Sequence, residues 1–328
     1  ILEPEEALQL LDSPYNREII FPYLIGKDFT THPEQAPSRY VINFGERALE
    51  EAMSFPECMS IVRSRVYEYR QTVKTKKVRE NWWLFEHRAP ALFSAIEGLD
   101  RVLIRSRVSN KHAVAFVSKE MIYSDATVVF AYDDDTSFAV IQSSLHEQWA
   151  VQYSSTMKRD LRYAPTDVFE TFPFPYDLAP LEEIGERYHE HRRAIMLARQ
   201  EGLTATYNRF HDPDETAEDI AHLRDLHVEM DQAVAAAYGW DDLDLGHGFH
   251  ETAQGVRFTI SESARREVLT RLLRLNHERY AEEVRQGLHE KGSKRGKGKR
   301  SRGAADDADP LEQGELFDDG RPKQRRLF

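Results

Sequence analysis

Residues 101–132 read RVLIRSRVSNKHAVAFVSKEMIYSDATVVFAY, and this stretch decides the fold class. Three runs in it are rich in β-branched and aromatic residues and predict short strands: RVLIRSRV (101–108), HAVAFV (112–117) and ATVVFAY (126–132). An earlier run, RYVINF (39–44), alternates like a strand as well. Helical patterns lie on both sides, over residues 46–80 and 137–153. The sequence therefore predicts a mixed α/β domain over residues 39–176.

The pattern changes after Pro175. Long charged stretches with helical spacing cover residues 181–200, 215–239 and 261–287, and they predict an all-helical domain over residues 177–288. Residues 1–38 contain five prolines and predict a linker, while the low hydrophobicity and blocky charge of residues 289–328 predict a disordered tail. The fold class expected is α+β, with the mixed domain first and the helical domain second.

Charge is unevenly distributed along the chain. The net charge is −12, yet the segment between Arg63 and Lys119 holds 13 Lys or Arg and five Asp or Glu. Such a local basic surface suits phosphate binding, and it is also typical of a solvated helix face. The single cysteine, Cys58, indicates a reducing cytoplasm, and the absence of an 18-residue apolar run predicts no membrane partner. Because the chain begins at Ile1 rather than Met, we expect it to be part of a longer protein.

The sequence lacks the usual catalytic signatures. It has no phosphate-binding GxxxxGK[ST] loop, no GxGxxG after a strand and no GxSxG elbow. HEQWA (146–150) has Ala150 where a zinc protease has its second histidine, so it cannot form the metal-binding pair. The acidic run Asp133–Asp135 favours a turn and helix cap over a metal site. We therefore predict no catalytic residue, metal or cofactor site in this chain.

Recognition chemistry remains, and it centres on Lys158, Arg159 and Asp160. Lys and Arg can donate to guanine O6 and N7, and Asp can accept from cytosine N4. A Lys and an Asp two residues apart on an extended loop could read both members of one G·C pair. From spacing alone, a solvent-exposed loop without a ligand is the favoured interpretation of these residues.

Several motifs in one order resemble a known family. They are RYVINFGERALEEAM (39–53), NWWLFEHRAPAL (81–92), LDRVLIRSRVS (99–109), SDATVVFAYDDD (124–135), SSLHEQWAVQY (143–153) and RYAPTDVFETFPFP (162–175). Together they resemble the C-terminal half of MmeI-like DNA methyltransferases, type IIG restriction-modification enzymes that combine methylase and specificity in one chain. The resemblance covers about residues 15–288.

The resemblance implies that this chain recognises DNA and that catalysis belongs to another part of the enzyme. Residues 39–176 would be the DNA target recognition domain, and residues 1–38 would link it to a missing upstream adenine-N6 methylase domain or subunit. S-adenosylmethionine, and Mg²⁺ for cleavage, would bind in that upstream part, because its glycine-rich loop, NPP[FY] and nuclease motifs do not occur here. In the family, the variable stretch before RYxPTxxFETFPFP reads bases, which here corresponds to Lys158, Arg159 and Asp160.

Other polar residues are candidates for contacts with double-stranded DNA. A polar loop between two predicted strands supplies Arg105, Arg107, Asn110, Lys111 and His112. A basic helical segment supplies Lys74, Lys76, Lys77 and Arg79, and Arg162 follows the base-reading stretch. Contacts with phosphates position a duplex without reading its sequence.

Two pentapeptides in the tail share the pattern QxxLF. They are QGELF, with Gln313, Leu316 and Phe317, and QRRLF, with Gln324, Leu327 and Phe328. The pattern resembles the motif by which bacterial replication and repair proteins dock on the DNA sliding clamp, although short motifs also arise by accident.

Three interpretations stay open. The chain is a recognition module without catalysis of its own, the C-terminal fragment of a site-specific adenine methyltransferase, or a separately encoded specificity subunit. All three predict sequence-specific DNA recognition in the cytoplasm.

Overall fold

The computed structural model describes residues 1–157 and 160–288. The helices in this part are α1 Pro4–Leu11, α2 Gly26–Thr31, α3 Leu49–Ala52, α4 Pro56–Thr72, α5 Lys76–Glu80, α6 Pro90–Ile96, α7 Asp135–Gln142, α8 Ser144–Tyr153, α9 Pro165–Val168, α10 Glu182–Arg199, α11 Leu203–Phe210, α12 Glu218–Ala237 and α13 Glu262–Arg285. The strands are β1 Ile20–Leu24, β2 Arg39–Ile42, β3 Arg101–Ser106, β4 Val108–Ser109, β5 Val114–Ser118, β6 Ile122–Tyr123, β7 Thr127–Phe130, β8 Ser155–Met157, β9 Asp160–Arg162, β10 Gly248–Thr252 and β11 Gly255–Thr259. The predicted α+β class is confirmed.

The strands form small separate sheets. Three of them have three strands each, in the orders β2-β1-β6, β5-β3-β7 and β4-β9-β8, and β10 pairs with β11 alone. The strands predicted from residues 39–44, 101–108, 112–117 and 126–132 are all present. Arg107 separates β3 from β4, so one run of chain passes from the second sheet into the third. Its backbone joins both sheets, because Arg107 N donates to Ala126 O (2.8 Å) and Tyr163 N donates to Arg107 O (2.9 Å).

Two apolar cores hold these elements. The smaller one lies near the N-terminus and contains Leu2, Ile20, Phe44 and the buried Cys58. The larger one runs from Leu24 to Leu272 and includes side chains from β3, β7, α7, α8, α10, α12 and α13. Residues on both sides of position 177 therefore share one core.

Residues 1–38 do not behave as a free linker. They contain α1, β1 and α2, and β1 is the central strand of its sheet, pairing with β2 on one side and β6 on the other. The five prolines of this range predicted a linker, but Pro22 lies within β1 opposite Tyr40 and does not end the strand. This range is thus built into the fold.

Three other elements differ from the sequence reasoning. The C-terminal region is mainly helical as predicted, but it also contains the β10–β11 hairpin. The predicted loop around residues 154–163 holds β8 and β9. The predicted helix over 137–153 breaks at Ser143, whose hydroxyl caps α8 by accepting from His146 N.

The helix cap predicted within Asp133–Asp135 is confirmed, and three other helix ends have residues typical of caps. Asp134 caps α7 by accepting from Ser137 N at 2.7 Å, and Ser261 caps α13 by accepting from Ala264 N at 3.2 Å. Gly239 and Gly287 follow α12 and α13 with φ of 74° and 71°, the left-handed conformation that glycine adopts without strain. These signals are local in sequence, which is why they could be read directly.

The helical region is bonded to the mixed region along a buried seam. From α10, Arg192 donates to Val114 O (2.6 Å) and Gln142 Oε1 (3.0 Å). From α12, Asp231 accepts from Ser144 N (2.8 Å), and from α13, Asn276 donates to Thr171 O (2.7 Å). We call Arg192, Asp231 and Asn276 the helix seam. Gly185 of α10 permits this approach, because a Cβ there would lie 2.1 Å from Asp135 O.

Candidate nucleic-acid interface

Asp160 of the candidate base-reading segment lies on a small sheet, which we call the recognition sheet: β4, β9 and β8 in that order. In β9, Leu161 is buried, with 7% of its surface exposed. Because side chains alternate along a strand, Asp160 and Arg162 share the opposite face, and Arg162 is exposed. Arg162 is flanked in register by Val108 of β4 and Ser155 of β8. The recognition sheet thus presents an acceptor and a cation side by side, away from the core.

Of the three predicted base readers, only Asp160 falls within the described residues. Lys158 and Arg159 lie outside them. Met157 and Asp160 pair in the antiparallel register of β8 and β9. A two-stranded ribbon is one of the elements that the major groove of DNA can admit.

The prediction that Arg105 and His112 contact DNA does not fit their position. Arg105 is 1% exposed and His112 is 8% exposed, and they contact each other, with Nη1 of Arg105 3.4 Å from Nδ1 of His112. His112 Nε2 lies 2.7 Å from Ile141 O, so that nitrogen carries the proton and Nδ1 accepts from the guanidinium. Both side chains are used inside the protein. The burial of Arg105 was predictable from the alternation of side chains along β3, since Leu103 and Arg105 lie on the same side of that strand.

Arg105 packs against the residue that follows β9 of the recognition sheet. Its guanidinium carbon lies 4.1 Å from the ring centre of Tyr163, the residue that follows β9. Tyr163 is buried, and its hydroxyl lies 3.0 Å from Nε2 of His146 in α8. Burial lowers the pKa of Arg105 to about 10, and burial together with Arg105 lowers the pKa of His146 to about 3. His146 is therefore neutral at neutral pH, and this cluster fixes the position of the residue directly after Arg162.

The other loop candidates are more accessible. Asn110 is exposed, while Arg107 and Lys111 are half-buried. Arg107 Nε donates to Asp125 O at 2.6 Å, which holds its side chain along the surface. Burial, followed by the nearby charge of Arg257, lowers the pKa of Lys111 to about 8. Asn110 and Lys111 follow β4 directly and so lie beside the recognition sheet.

The basic candidates around α5 lie near the exposed end of α4, on a segment of α4 and α5 over residues 60–80 that we call the arm. Along α4 the only fully buried side chains are Cys58 and Met59, near its start, and the rest of that helix is exposed or half-buried. Lys74, Lys76 and Lys77 are exposed beyond its end, and Lys76 makes a surface ion pair with Glu80 at 3.5 Å. Arg79 differs from the lysines, because its Nη1 donates to Val73 O and Lys74 O, both at 2.7 Å. Arg79 thus holds the arm together, and the lysines remain as the accessible cations.

His146, Asp134 and Asp135 have structural partners within the described part of the chain. No group of three His, Cys, Asp or Glu residues there could hold a metal ion. His146 of HEQWA is buried within α8. Asp134 caps a helix, and Asp135 accepts from Arg101 at 2.7 Å.

One cluster resembles a hydrolytic triad in composition only. Ser144 Oγ lies 3.0 Å from His227 Nε2, and Asp231 Oδ2 lies 3.5 Å from that same nitrogen. A triad needs the serine and the carboxylate on opposite ring nitrogens, so this arrangement cannot relay a proton. All three side chains are also buried. Burial raises the pKa of the Asp231 carboxyl, but His227, His247 and the side chain of Ser144 outweigh burial and keep that pKa below its usual value.

The predicted clamp-docking residues Gln313, Leu316, Phe317, Gln324, Leu327 and Phe328 lie outside the described residues. Sequence reasoning missed Tyr163 and Arg257, which belong to the surroundings of the interface. The signal for Arg257 was present, because GFHET (248–252) and GVRFT (255–259) alternate around a two-residue turn. No comparable signal marks Tyr163, whose partners Arg105 and His146 are distant in sequence.

Two comparisons with known proteins give matches. The family model of the MmeI target recognition domain matches residues 1–176. A solved structure of the type IIL restriction-modification enzyme MmeI in complex with DNA is similar in fold, with a TM-score of 0.57 and 19% sequence identity. That match covers 83% of this chain and 33% of MmeI, so this chain spans about a third of the length of that enzyme. No curated protein sequence matches the chain.

Proposed function

Since the chain belongs to the family of MmeI target recognition domains, we propose that it recognises a specific sequence in double-stranded DNA for a restriction-modification enzyme. The observation that carries the proposal is the recognition sheet, which displays Asp160 and Arg162 on its outer face within the matched range. Family membership supports the general role, and the chemistry of this face supports the target. The solved MmeI structure contains DNA, which is a fact about that enzyme.

Base reading is assigned to the β8–β9 ribbon. Asp160 would accept from the N4 amino group of a cytosine, and Lys158 would donate to O6 and N7 of the paired guanine. Arg159 lies between them in sequence and would contact the same region. Each well-formed contact of this type contributes about 1–3 kcal/mol of discrimination against the wrong base.

Backbone contacts are assigned to the accessible cations around the ribbon. Arg162 on the recognition sheet, and Lys74, Lys76 and Lys77 on the arm, would neutralise phosphates on either side of the bases that are read. Such contacts supply affinity that depends on salt and fix the register of the protein on the duplex.

Catalysis is assigned to an upstream part of the same enzyme. Adenine-N6 methylation of the type IIG kind would take place there, with S-adenosylmethionine as the methyl donor and Mg²⁺ serving cleavage. The residues of this chain do not fit either group, because it has no glycine-rich phosphate or nucleotide loop and its described residues form no acidic or histidine cluster of three. This chain would hold the upstream domain or subunit over its target adenine in the cytoplasm. No helix among the described residues is long and apolar enough to cross a membrane.

Selection from a random duplex pool tests the proposal. The 328-residue chain should enrich one short sequence motif, which can be read by sequencing the bound fraction. Enrichment of no motif at any salt concentration would contradict the proposed function. Methyl transfer from S-adenosylmethionine by this chain alone would contradict the assignment of catalysis to an upstream part, and it would favour a chain that is itself the methyltransferase.

A second partner is proposed for the tail. The repeated QxxLF pattern supports docking on the DNA sliding clamp through Phe317 and Phe328. Purified clamp should retain the wild-type chain and lose the double variant Phe317→Ala, Phe328→Ala. Equal retention of both chains would show that the pattern is accidental.

A further inference from the structure

The recognition sheet is too small to fix its own position. β4 has two residues, and β8 and β9 have three each. Strands this short make few backbone hydrogen bonds, so the position of the sheet depends on what packs against it. Leu161 in the middle of β9 and Tyr163 directly after β9 are both buried. The contacts of these two residues therefore determine where Asp160 and Arg162 lie.

A buried arginine joins the two segments of chain that leave this sheet. The guanidinium carbon of Arg105 lies 4.1 Å from the ring centre of Tyr163, and its Nη1 lies 3.4 Å from Nδ1 of His112. Tyr163 follows β9 directly, and His112 follows β4 by three residues. β4 and β9 are paired, with Ser109 opposite Leu161. Arg105 therefore connects the ends of two neighbouring strands from the side of the core.

The loop after β4 is held by the last turn of α7. His112 Nε2 donates to Ile141 O at 2.7 Å, and Gln142 Nε2 donates to His112 O at 3.1 Å. The other end of the same amide, Gln142 Oε1, accepts from Val114 N at 3.0 Å. Gln142 is 1% exposed, so water does not compete for these bonds. One side-chain amide thus binds the backbone between β4 and β5 at two points.

The same amide reaches the helical region. Arg192 of α10 donates from Nη1 to Gln142 Oε1 at 3.0 Å and to Tyr207 Oη of α11 at 2.9 Å. A continuous run of buried polar contacts therefore leads from α11 to the residue that follows β9. We call its six members the polar bridge: Tyr207, Arg192, Gln142, His112, Arg105 and Tyr163.

The polar bridge contributes geometry that apolar packing does not. Burying a polar side chain costs free energy unless its partners are in place, and apolar side chains of similar size would fill the same space at lower cost. Hydrogen bonds are restricted in distance and angle, whereas the hydrophobic effect has no direction. Since the links from Arg192 to Arg105 are hydrogen bonds, a shift at one end displaces the next member. The bridge thus fixes the recognition sheet relative to α10.

We propose that the polar bridge sets how strictly the recognition sheet discriminates between bases, with Gln142 as the positioning residue that joins the sheet to the helical region. A displacement of about 1 Å would take the bond between Asp160 and a base edge out of its effective range. The helices after residue 177 thereby contribute to base reading without contacting the DNA. This inference rests on the proposed function, since it takes Asp160 to read a base.

Binding to two duplexes tests the inference. One duplex carries the selected motif, and the other differs at the single base pair that Asp160→Ala removes from the motif. The ratio of the two dissociation constants measures discrimination. Gln142→Met keeps the length of the side chain and removes the amide between His112 and Arg192, so it should lower this ratio about tenfold. Affinity for a duplex without the motif should stay at the wild-type value, because the cations on the arm are kept.

A second break in the bridge shows whether its members act as one unit. Arg105→Met removes the contacts with His112 and Tyr163 and should lower the ratio by a similar factor. The double variant Gln142→Met, Arg105→Met should lose no more discrimination than the larger single loss, because the connection is already broken. Losses that multiply to about a hundredfold would contradict a single bridge.

Two further variants separate positioning from stability. Ile20→Ala, in the smaller core, lowers the free energy of unfolding without touching the bridge and should keep the wild-type ratio. Gln142→Glu is the milder change if Gln142→Met does not fold. It keeps the acceptor for Arg192 and Val114 N, loses the donor to His112 O, and should also lower the ratio.

The failure of this inference is distinguishable from the failure of the proposed function. Wild-type ratios for the Gln142 variants, or an equal loss in Ile20→Ala, would overturn the positioning role and leave sequence recognition intact. A wild-type chain that enriches no motif would overturn the proposed function and this inference together.

Discussion

The recognition sheet and the helix seam use the same types of side chain for opposite purposes. Arg192 in the seam is 1% exposed and donates to partners within the protein, whereas Arg162 on the recognition sheet is exposed. Asp231 is fully buried among Ser144, His227 and His247, whereas Asp160 is half-buried at the start of a short strand. The type of a charged residue therefore does not indicate its function until the positions of its partners are known.

The largest effect is expected in the helix seam. Arg192→Leu removes three buried hydrogen bonds, to Val114 O, Gln142 Oε1 and Tyr207 Oη, and it should lower the free energy of unfolding by about 3 kcal/mol. Urea unfolding followed by circular dichroism measures this change. Arg193→Leu is the control on the same helix, since that side chain is 51% exposed, and it should change stability by less than about 0.5 kcal/mol. Equal losses of unfolding free energy in Arg192→Leu and Arg193→Leu would contradict the stabilising role of the helix seam.

A smaller effect on the free energy of unfolding is expected at His146, which packs beside Tyr163, and this effect depends on pH. His146 has its pKa lowered to about 3 in the folded protein, so the unfolded chain binds its proton first as pH falls below about 6.5. Stability from this group is therefore present at pH 8 and is lost as pH falls. His146→Gln cannot titrate, and its loss of unfolding free energy between pH 8 and pH 5 should be about 2 kcal/mol smaller than that of the wild type.

The control for this prediction lies on the same helix. Val151 is 41% exposed on α8, and Val151→Gln introduces the same amide without removing a titrating group. Its loss of stability between pH 8 and pH 5 should equal that of the wild type. If His146→Gln behaves in the same way as Val151→Gln, the histidine is not held neutral by its surroundings.

The smallest effect on stability is expected on the recognition sheet itself. Arg162→Gln removes an exposed charge and should change the unfolding free energy by less than about 0.5 kcal/mol. The same variant should weaken binding to all duplexes alike and reduce the salt slope by about 0.9, because a phosphate contact carries no sequence information. A changed sequence motif with an unchanged slope would make Arg162 a base reader instead.

Sequence reasoning succeeded where the determining interactions are local. The strands β3, β5 and β7 follow from runs of β-branched residues, and the helix starts at Asp134 and Ser261 follow from the residue types that cap helices. Each of these features is decided within a few neighbouring residues.

It failed where the determining partner is distant. Arg105 was predicted to contact DNA because it is basic and lies near a polar loop, but its guanidinium is covered by Tyr163, 58 positions later in the chain. The integration of residues 1–38 depends on the pairing of β1 with β6, about a hundred residues away. Such partners become visible only in the folded structure.

The most direct test of the account exchanges the two proposed base readers. The double variant Lys158→Asp, Asp160→Lys exchanges the proposed donor and acceptor, and its motif is selected from the same random duplex pool as that of the wild type. The account predicts a different preferred base pair at one position of the motif, with all other positions and the urea unfolding midpoint unchanged. An identical motif for both chains would contradict the claim that this sheet reads the DNA sequence.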